Sequence, residues 1–514
     1  MRGRLRQFKP SQFLLFVVLN ATLALAQSSA TPEQRTNRYL ESVRHSAPLA
    51  LAFLREMPKG GDLHNHLGGA IYAEDLIDFA ADDKLCFDRA SSGLLPGPCD
   101  ESCGGSAAKP AAECGYHDPG LYNTMIDAWS MRNWERGRES GHDHFFATFF
   151  KFDLATRNHM GEATALAMER AAADNLRYLE LMHTVGGMQS AQLGAKLGWN
   201  SDFATMREKL LSGGLKDAVA AARVELDKEG VNIQQRLACG TPSALPACDV
   251  TVRYLYQVLR GLPPEQVFAQ MLTGFELASA DSRVVGLNLV MPEDWYVPMR
   301  DFNLHMRMLD YLHGIYPKVH ISLHAGELAM GLVPPEGLSF HIRHSIELGH
   351  AERIGHGVAV MDEHNALDLL REMAERKVLV EICLTSNDVI LGVKGNQHPL
   401  PVYLRYNVHV ALATDDEGVS RSDMTHEYLR AAETYNLSYV DLKHMARQSL
   451  EHSFLPGASL WTDSEQTRTV TACASDHVAS STQSAGCNKF LDANEKARMQ
   501  WKLEADFAAF EKKF

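Results

Sequence analysis

The chain has 514 residues, of which 45% are hydrophobic, so it is long and apolar enough to bury a large core. This length fits two or three ordinary domains, or a single α/β barrel enlarged by insertions. The formal net charge of −14 disfavours nucleic acid and anionic membrane surfaces as partners, because both attract basic protein faces.

The N-terminus has the pattern of an export signal. Basic side chains between Arg2 and Lys9 precede an apolar run that ends in Ala24-Leu25-Ala26, a small-x-small cleavage pattern. We therefore expect residues 1–26 to be a signal peptide, and the mature chain to be secreted or periplasmic, with no membrane partner after signal removal. A membrane anchor is the alternative, but the apolar run is shorter than the ~20 residues that a membrane span needs.

Eight short apolar runs predict strands that are buried on both faces, as in a parallel sheet. The runs are GGDLHNH at 60–66, YLELM at 178–182, VNIQQRL at 231–237, VVGLNLV at 284–290, KVHISLHAG at 318–326, RIGHG at 353–357, VLVEICLTSN at 378–387 and VHVALATDD at 408–416. Amphipathic stretches such as 163–175, 202–229 and 367–376 predict helices between them. This alternation predicts an α/β fold, a (β/α)8 TIM-type barrel over residues 27–455.

Two segments do not fit the barrel repeat. Residues of about 84–120 are rich in Gly, Pro, Ser and Cys and predict a disulfide-stapled insertion after the first strand, and residues 456–514 predict a C-terminal extension. Eight of the nine cysteines fall in even clusters at 86–114, 239–248 and 473–487, which is typical of disulfides in an oxidising compartment. Pairing within the first cluster stays open, and a zinc knuckle at Cys99 and Cys103 is the alternative. Cys383 is left over as a buried free thiol.

Polar side chains follow four of the predicted strands on their C-terminal side. His64 and His66 lie on one face of the first strand, because side chains alternate along a strand. The others are His324 and Glu327 in SLHAGE, His356 in RIGHG, and Asp415 and Asp416 in LATDDEG. Active sites of (β/α)8 barrels lie at this face, so we expect these side chains to converge there.

The residue types in this set suit a zinc centre. Zinc accepts three imidazoles and a carboxylate and can keep a position for water, and the candidate ligands are His64, His66, His324 and Asp415. Glu327 and His356 then remain as acid/base groups, and Asp416 remains to hydrogen-bond the substrate. The aromatic stripe HFFATFFKFD at 144–153 is interpreted as core packing, with a lid that stacks on a bound ring as the alternative.

The motifs MPKGGDLHNHL, HAGE, RIGHG, LTSN and ATDD, in this order, resemble the adenosine deaminase family of the metal-dependent amidohydrolase superfamily. The resemblance covers roughly residues 53–455, and the signal peptide and cysteine-containing insertion are similar to its secreted, growth-factor-related branch. It implies one zinc ion per chain and hydrolysis of adenosine or 2'-deoxyadenosine to inosine or 2'-deoxyinosine and ammonia.

The resemblance also implies roles for the site residues. Zinc would be held by His64, His66, His324 and Asp415. His356 would orient and deprotonate the zinc-bound water, Glu327 would donate a proton to ring N1, and Asp416 would hydrogen-bond N7.

Two positions depart from the family pattern on the side of substrate contacts. Gly68 stands where the family often has an acidic or polar residue that contacts ribose. Met291 stands where the family usually has a glycine whose backbone meets ring N3. Deamination is therefore better supported than adenosine as the substrate. The alternatives are a deaminase of another adenine-containing compound, or a catalytically weak secreted binding or signalling protein. No phosphate clamp accompanies the motifs, and the oligomeric state is not predicted.

Overall fold

The computed structural model describes residues 30–105, 107–480 and 482–514, so the predicted signal peptide lies outside the described residues. Eight parallel strands form one sheet in the order of the chain. They are β1 Gly60–His66, β2 Leu176–His183, β3 Thr251–Leu259, β4 Val284–Val290, β5 His320–Ala325, β6 Arg353–His356, β7 Leu379–Ile382 and β8 His409–Leu412.

The sheet closes on itself between its first and last strands. The backbone N–H of Asp415 donates to the carbonyl of His64, and the N–H of His66 donates to the carbonyl of Asp415, each at 2.9 Å. A parallel bridge joins Asn65 to Asp415 at the same point. These bonds close the barrel just beyond the end of β8, so the predicted (β/α)8 TIM-type fold is confirmed.

Helices surround the strands and pack on their outer faces. The α-helices are Pro32–Val43, Ala47–Glu56, Leu67–Ala70, Ala73–Asp82, Pro119–Trp129, Gly141–Thr156, Met160–Ala173, Gln189–Leu197, Phe203–Leu210, Lys216–Leu237, Pro264–Ala280, Tyr296–Ile315, His341–Glu347, Ala366–Glu375, Leu384–Leu391, Leu400–Arg405, Glu417–Ser420, Met424–Tyr435, Tyr439–Glu451, Ala485–Ala493 and Glu495–Glu511. A π-helical segment, Leu211–Leu215, precedes the helix that begins at Lys216. Among the described residues, no helix is long and apolar enough to span a membrane.

The third strand is not where the sequence pattern predicts it. VNIQQRL at 231–237 forms the last turns of helix Lys216–Leu237, and the strand is Thr251–Leu259. A strand buried on both faces needs apolar contacts along its whole length, but Val231 is 51% exposed. The segment Thr251–Leu259 carries the β-branched and aromatic residues that favour a strand, and its tyrosines at 254 and 256 are buried.

The insertion after β1 is a small disulfide-stapled unit. Cys86–Asp88 pairs antiparallel with Gly93–Leu95, and the bridges are Cys86–Cys99 and Cys103–Cys114. This connectivity excludes a thiolate zinc knuckle, since both of the sulfurs proposed for it are covalently paired. The other clusters pair as Cys239–Cys248 and Cys473–Cys487, and Cys383 is buried and free.

The C-terminal extension has its own small core and also packs against the barrel. Leu460, Leu491 and Trp501 are buried together around the Cys473–Cys487 bridge. Helix Glu495–Glu511 then forms ion pairs with the barrel strands. The pairs are Arg177 with Asp506 and Arg253 with Glu495, each at 2.7 Å.

Candidate metal centre and active-site cavity

Three imidazole nitrogens and one carboxylate oxygen converge at the C-terminal mouth of the barrel. His324 Nε2 lies 3.1 Å from the Nε2 atoms of both His64 and His66. Asp415 Oδ1 lies 3.4 Å from the same two nitrogens. A zinc ion with ligands at ~2.0–2.1 Å separates the corners of its tetrahedron by ~3.3–3.4 Å, so this cluster has the size of a zinc cage.

The hydrogen bonds on the far side of each ring fix which nitrogen carries the proton. His64 Nδ1 lies 2.7 Å from Glu381 Oε2, His324 Nδ1 lies 2.8 Å from Asn288 Oδ1, and His66 Nδ1 lies 3.3 Å from Gln257 Oε1. Each Nδ1 therefore donates, which leaves three Nε2 lone pairs facing one another. Lone pairs at this distance repel unless a cation lies between them, so the residues present fit a metal ion.

A buried ion network supports the His64 ligand from below. Arg353 donates from Nε to Glu381 Oε1 and from Nη2 to Glu180 Oε2, each at 2.6 Å, and all three side chains are fully buried. Ser322 Oγ also donates to Glu381 at 3.0 Å. Glu381 is thus anchored by Arg353 and offers its second oxygen to His64.

Asp415 is placed by the closing seam of the barrel. Its φ is +62°, a left-handed conformation that L-residues adopt rarely, and the two backbone bonds to β1 hold it there. Ser386 Oγ donates to Oδ2 at 2.6 Å, which leaves Oδ1 facing the imidazoles. Burial acts to raise the pKa of Asp415, but its contacts with the His64 and His66 rings outweigh burial and hold the pKa well below its usual range.

Glu327 lies beside this cluster in a dry and negatively charged setting. Burial, and then the charges of Asp415 and Glu293, raise its pKa well above the usual range, which favours the protonated carboxyl. Glu293 accepts hydrogen bonds from the backbone N–H groups of Gly326 and Glu327 at 3.0 and 2.9 Å. Glu293 is itself paired with His341 at 2.5 Å, and it therefore fixes the backbone that carries Glu327.

A chain of hydrogen bonds fixes the proton on His356. The backbone N–H of Leu400 donates to His398 Nδ1 at 3.1 Å, so His398 carries its proton on Nε2 and donates to Asn387 Oδ1 at 3.0 Å. The Asn387 amide then donates to His356 Nδ1 at 3.0 Å. Burial lowers the pKa of His356 to about 3, so the ring is neutral and its proton is on Nε2.

This Nε2–H points toward the site, 3.7 Å from Glu327 Oε1. This Nε2–H has no hydrogen-bond partner among the described residues, so it is free to donate to a group bound in the site. The role as a base that the resemblance implies for His356 stays a prediction, and in this proton arrangement Nε2 carries a hydrogen and has no free lone pair.

Asp416 points its side chain across the glycines that follow β1. Its Oδ1 is buried and has no hydrogen-bond partner among the described residues. A Cβ at Gly69 would lie 1.7 Å from that oxygen, so only glycine fits there. At Gly68 a Cβ would meet nothing within 4 Å, and Gly68 is absent from the described cavity lining. Burial, then the neighbouring Asp415 carboxylate, raises the pKa of Asp416 well above its usual range.

Met291 lines the cavity in an unusual backbone conformation. Its φ is +87°, a region that glycine adopts freely and a side chain does not. Its carbonyl accepts from Arg260 Nε at 3.0 Å, and the same guanidinium donates to the carbonyl of His324 at 3.2 Å. Its side chain lies against Gly261. Arg260 thus ties His324, the candidate metal ligand on β5, to the loop after β4.

The cavity above the metal cluster has a volume of about 1290 Å³. Helix Gly141–Thr156 forms one wall, where Phe146, Phe149 and Phe150 line the cavity while Phe152 is buried in the core. The aromatic stripe therefore contributes both to the core and to the cavity wall. Leu94 of the stapled insertion also reaches this wall.

The structure brings the four candidate metal ligands together with Glu327, His356 and Asp416, and it places Met291 on the cavity wall. Sequence reasoning missed Glu381, Arg260 and His398, which act through the residues it found. Glu381 stands inside an apolar strand run, and a charge buried there is a signal that could have identified it.

Residues 218–460 match the family model described as Adenosine deaminase. Adenosine deaminase from Escherichia coli (strain SE11) is 39% identical over 137 residues, which cover 26% of this chain and 38% of that protein. Adenosine deaminase from Clostridium perfringens (strain SM101 / Type A) is 35% identical over 135 residues, covering 26% of this chain and 37% of that protein. These matches thus span well under half of the curated relatives.

Among solved structures, arabidopsis ADAL in complex with IMP superposes with a TM-score of 0.51 and 19% sequence identity. The superposition covers 78% of this chain and 93% of that chain. At this identity the likeness concerns the fold alone.

Proposed function

We propose that the chain, which belongs to the adenosine deaminase family over residues 218–460, is a zinc-dependent hydrolytic deaminase of adenosine or 2'-deoxyadenosine. Its products would be inosine or 2'-deoxyinosine and ammonia. One observation carries the proposal: three imidazole nitrogens and one carboxylate oxygen meet beside a buried carboxyl with a raised pKa, inside a large cavity.

The metal would be held by His64, His66, His324 and Asp415, whose facing lone pairs fit a cation. The chemistry that zinc supplies at such a site is Lewis-acid activation of water near neutral pH. The remaining steps belong to the residues of this chain.

Glu327 supports proton transfer to the purine ring. A protonated carboxyl can donate to a ring nitrogen, and that makes the adjacent carbon more open to attack by water. Glu293 accepts hydrogen bonds from the backbone N–H groups of Gly326 and Glu327 and so fixes the position of Glu327. The neighbouring Asp416 also has a raised pKa, and a protonated Asp416 can donate to N7 of a purine, which only accepts.

His356 orients groups at the reacting centre by donating from Nε2. Its proton position is set through Asn387 and His398 from a backbone N–H that can only donate. A fixed donor in a water-poor site stabilises negative charge as it develops, without reorganising.

Export of the chain to an oxidising compartment, secreted or periplasmic, is part of the proposal. Four disulfides at distant places in the fold support it, because such bridges persist where thiols are not kept reduced.

Two other functions are alternatives to this proposal. A deaminase of another adenine-containing compound would share every group described here. A binding protein without catalysis is disfavoured, since all candidate metal and acid groups are present and oriented.

The direct test is a substrate panel with purified protein loaded with one equivalent of zinc. Adenosine, 2'-deoxyadenosine, adenine and AMP are incubated separately while ammonia release and ultraviolet absorbance are followed. We expect turnover of the nucleosides and its loss on chelation. A zinc-loaded protein that releases no ammonia from any of the four would refute the proposal.

A further inference from the structure

The cavity continues from the metal centre into a second compartment, which we call the acidic wing and define as His183, Glu225 and Glu229. His183 is the last residue of β2, the neighbour of the strand that carries His66. Glu225 and Glu229 are one turn apart on helix Lys216–Leu237. All of these side chains line one cavity, so a molecule bound at the metal centre can reach the wing.

Glu229 presents an oxygen that lacks a donor. Its side chain is only 6% exposed, and Oε1 accepts from His183 Nε2 at 3.0 Å. Oε2 is buried and has no hydrogen-bond partner among the described residues. A buried carboxylate oxygen without a donor costs folding free energy, so a ligand that supplies a donor is bound more tightly here than at the surface.

The wing carries negative charge. The ligating atoms of His183, Glu225 and Glu229 lie within 4.8 Å of one another, which places two carboxylates against one imidazole. Arg157 and Lys228 also line the cavity, but both are exposed to solvent. Charges in solvent are screened far more than buried ones, so the buried carboxylate dominates the local field. This field attracts donors and cations and repels phosphate.

The size of the cavity leaves room for a group at this position. A volume of about 1290 Å³ exceeds the ~300–1,000 Å³ of ordinary small-molecule sites. The groups suited to hold a purine ring, Glu327 and Asp416, follow β5 and β8, whereas the wing lies at the end of β2. A ring held at the first two therefore has room to extend its sugar toward the wing within the same cavity.

We propose that the acidic wing is a subsite for a hydrogen-bond-donating, non-anionic group on the sugar side of the substrate. It favours an ammonium over a hydroxyl and rejects a phosphate. This inference rests on the proposed function, and it makes the substrate class adenine nucleosides without phosphate, including those that carry an amine.

The test compares three ligands that differ in the group at the sugar 5' position with a reference that has no sugar. Hypoxanthine, inosine, 5'-amino-5'-deoxyinosine and IMP are titrated calorimetrically into the zinc-loaded protein, since these deaminated forms are not consumed. The variants are Glu225→Gln, Glu229→Gln and the double variant. Glu208→Gln, at an exposed position on another helix, is the control for the loss of one charge. Ammonia release from adenosine by the same samples reports the proposed function separately.

In the wild-type protein we expect the amine to bind at least tenfold more tightly than IMP, as a charge-assisted hydrogen bond implies. In the double variant this ratio falls about tenfold, while hypoxanthine, which has no sugar, binds as before. A structural role would instead weaken all four ligands together. If Glu229→Gln does not fold, Glu225→Gln alone still has to lower the ratio, because Glu225 is partly exposed.

Three results would overturn the subsite. One is an unchanged ratio in the double variant, and another is equal weakening of all four ligands. The third is a second equivalent of bound zinc that Glu229→Gln removes, which would make the wing a metal site. Absence of ammonia from all four compounds of the substrate panel, with the charge ratio intact, would refute the deaminase and leave the subsite standing.

Discussion

Substitution of Glu381 by glutamine separates metal binding from fold stability. Glu381 is fully buried, with one oxygen on His64 Nδ1 at 2.7 Å and the other on Arg353 Nε at 2.6 Å. Glutamine keeps the shape of the side chain but removes the charge, and its amide can satisfy only one of these two donors. Both the orientation of the His64 ring and the charge balance of Arg353 are then lost.

The structure gives a magnitude for each loss. Removing a carboxylate that orients a metal-ligating histidine lowers metal affinity by roughly 10–100-fold, about 1.4–2.7 kcal/mol. Leaving Arg353 with one carboxylate in a fully buried site costs about 3–5 kcal/mol of unfolding free energy. Glu180→Gln is the matched control, because Glu180 pairs with the same guanidinium at 2.6 Å and does not touch His64.

Two measurements on each variant decide the matter. Zinc affinity is measured by competition with a chelating indicator at neutral pH, and stability by urea unfolding of the zinc-free protein. We expect both variants to lose similar stability, and only Glu381→Gln to lose zinc affinity. Equal losses of zinc affinity in the two variants, or an unchanged affinity in Glu381→Gln, would refute the role of Glu381 in holding His64.

Three further outcomes follow from the site. Removing zinc by chelation should lower the melting temperature, and zinc at 100 times its Kd should restore about 2.7 kcal/mol of stability; a melting temperature indifferent to zinc would contradict the cage. Because the pKa of Glu327 is raised, activity should fall as pH rises through that pKa. Glu327→Gln should lose ~10²–10⁴-fold in kcat/KM and should also lose this fall at alkaline pH. A pH profile of Glu327→Gln that matches the wild type would contradict this role. His398→Phe removes the donor to Asn387 and should lower kcat about tenfold with little change in KM. The control His364→Phe, at an exposed position, should leave kcat unchanged. Equal effects of His398→Phe on kcat and KM would contradict a positioning role.

The sequence predicts this site well because its residues follow directly on strands. A parallel barrel brings all its strand ends to one face, so a polar side chain after an apolar run can be assigned to that face without knowing what it touches. His64, His324, His356 and Asp415 are of this kind, and the structure places them within one cluster of contacts.

The rest depends on contacts that no local pattern encodes. His398 acts through two intervening side chains, and Arg260 holds two backbone carbonyls, so neither shows a motif. The third strand was missed because apolar residues at the end of a long helix resemble a short buried strand when only composition is read. The roles of the glycines also depend on three-dimensional contacts, since only Gly69, and not Gly68, lies so close to the Asp416 side chain that a Cβ does not fit.

The seam that closes the barrel also determines when, during folding, the four candidate metal ligands can come together. Asp62 and Thr414, whose side chains hydrogen-bond across the seam, are 352 residues apart. Contacts of such separation form late in folding, because the entropy of closing the intervening chain has to be overcome first. A growing polypeptide holds at most part of the ligand set until Asp415 has been synthesised. A metal held by the full ligand set would therefore be acquired where the chain finishes folding, from the ions available in that compartment.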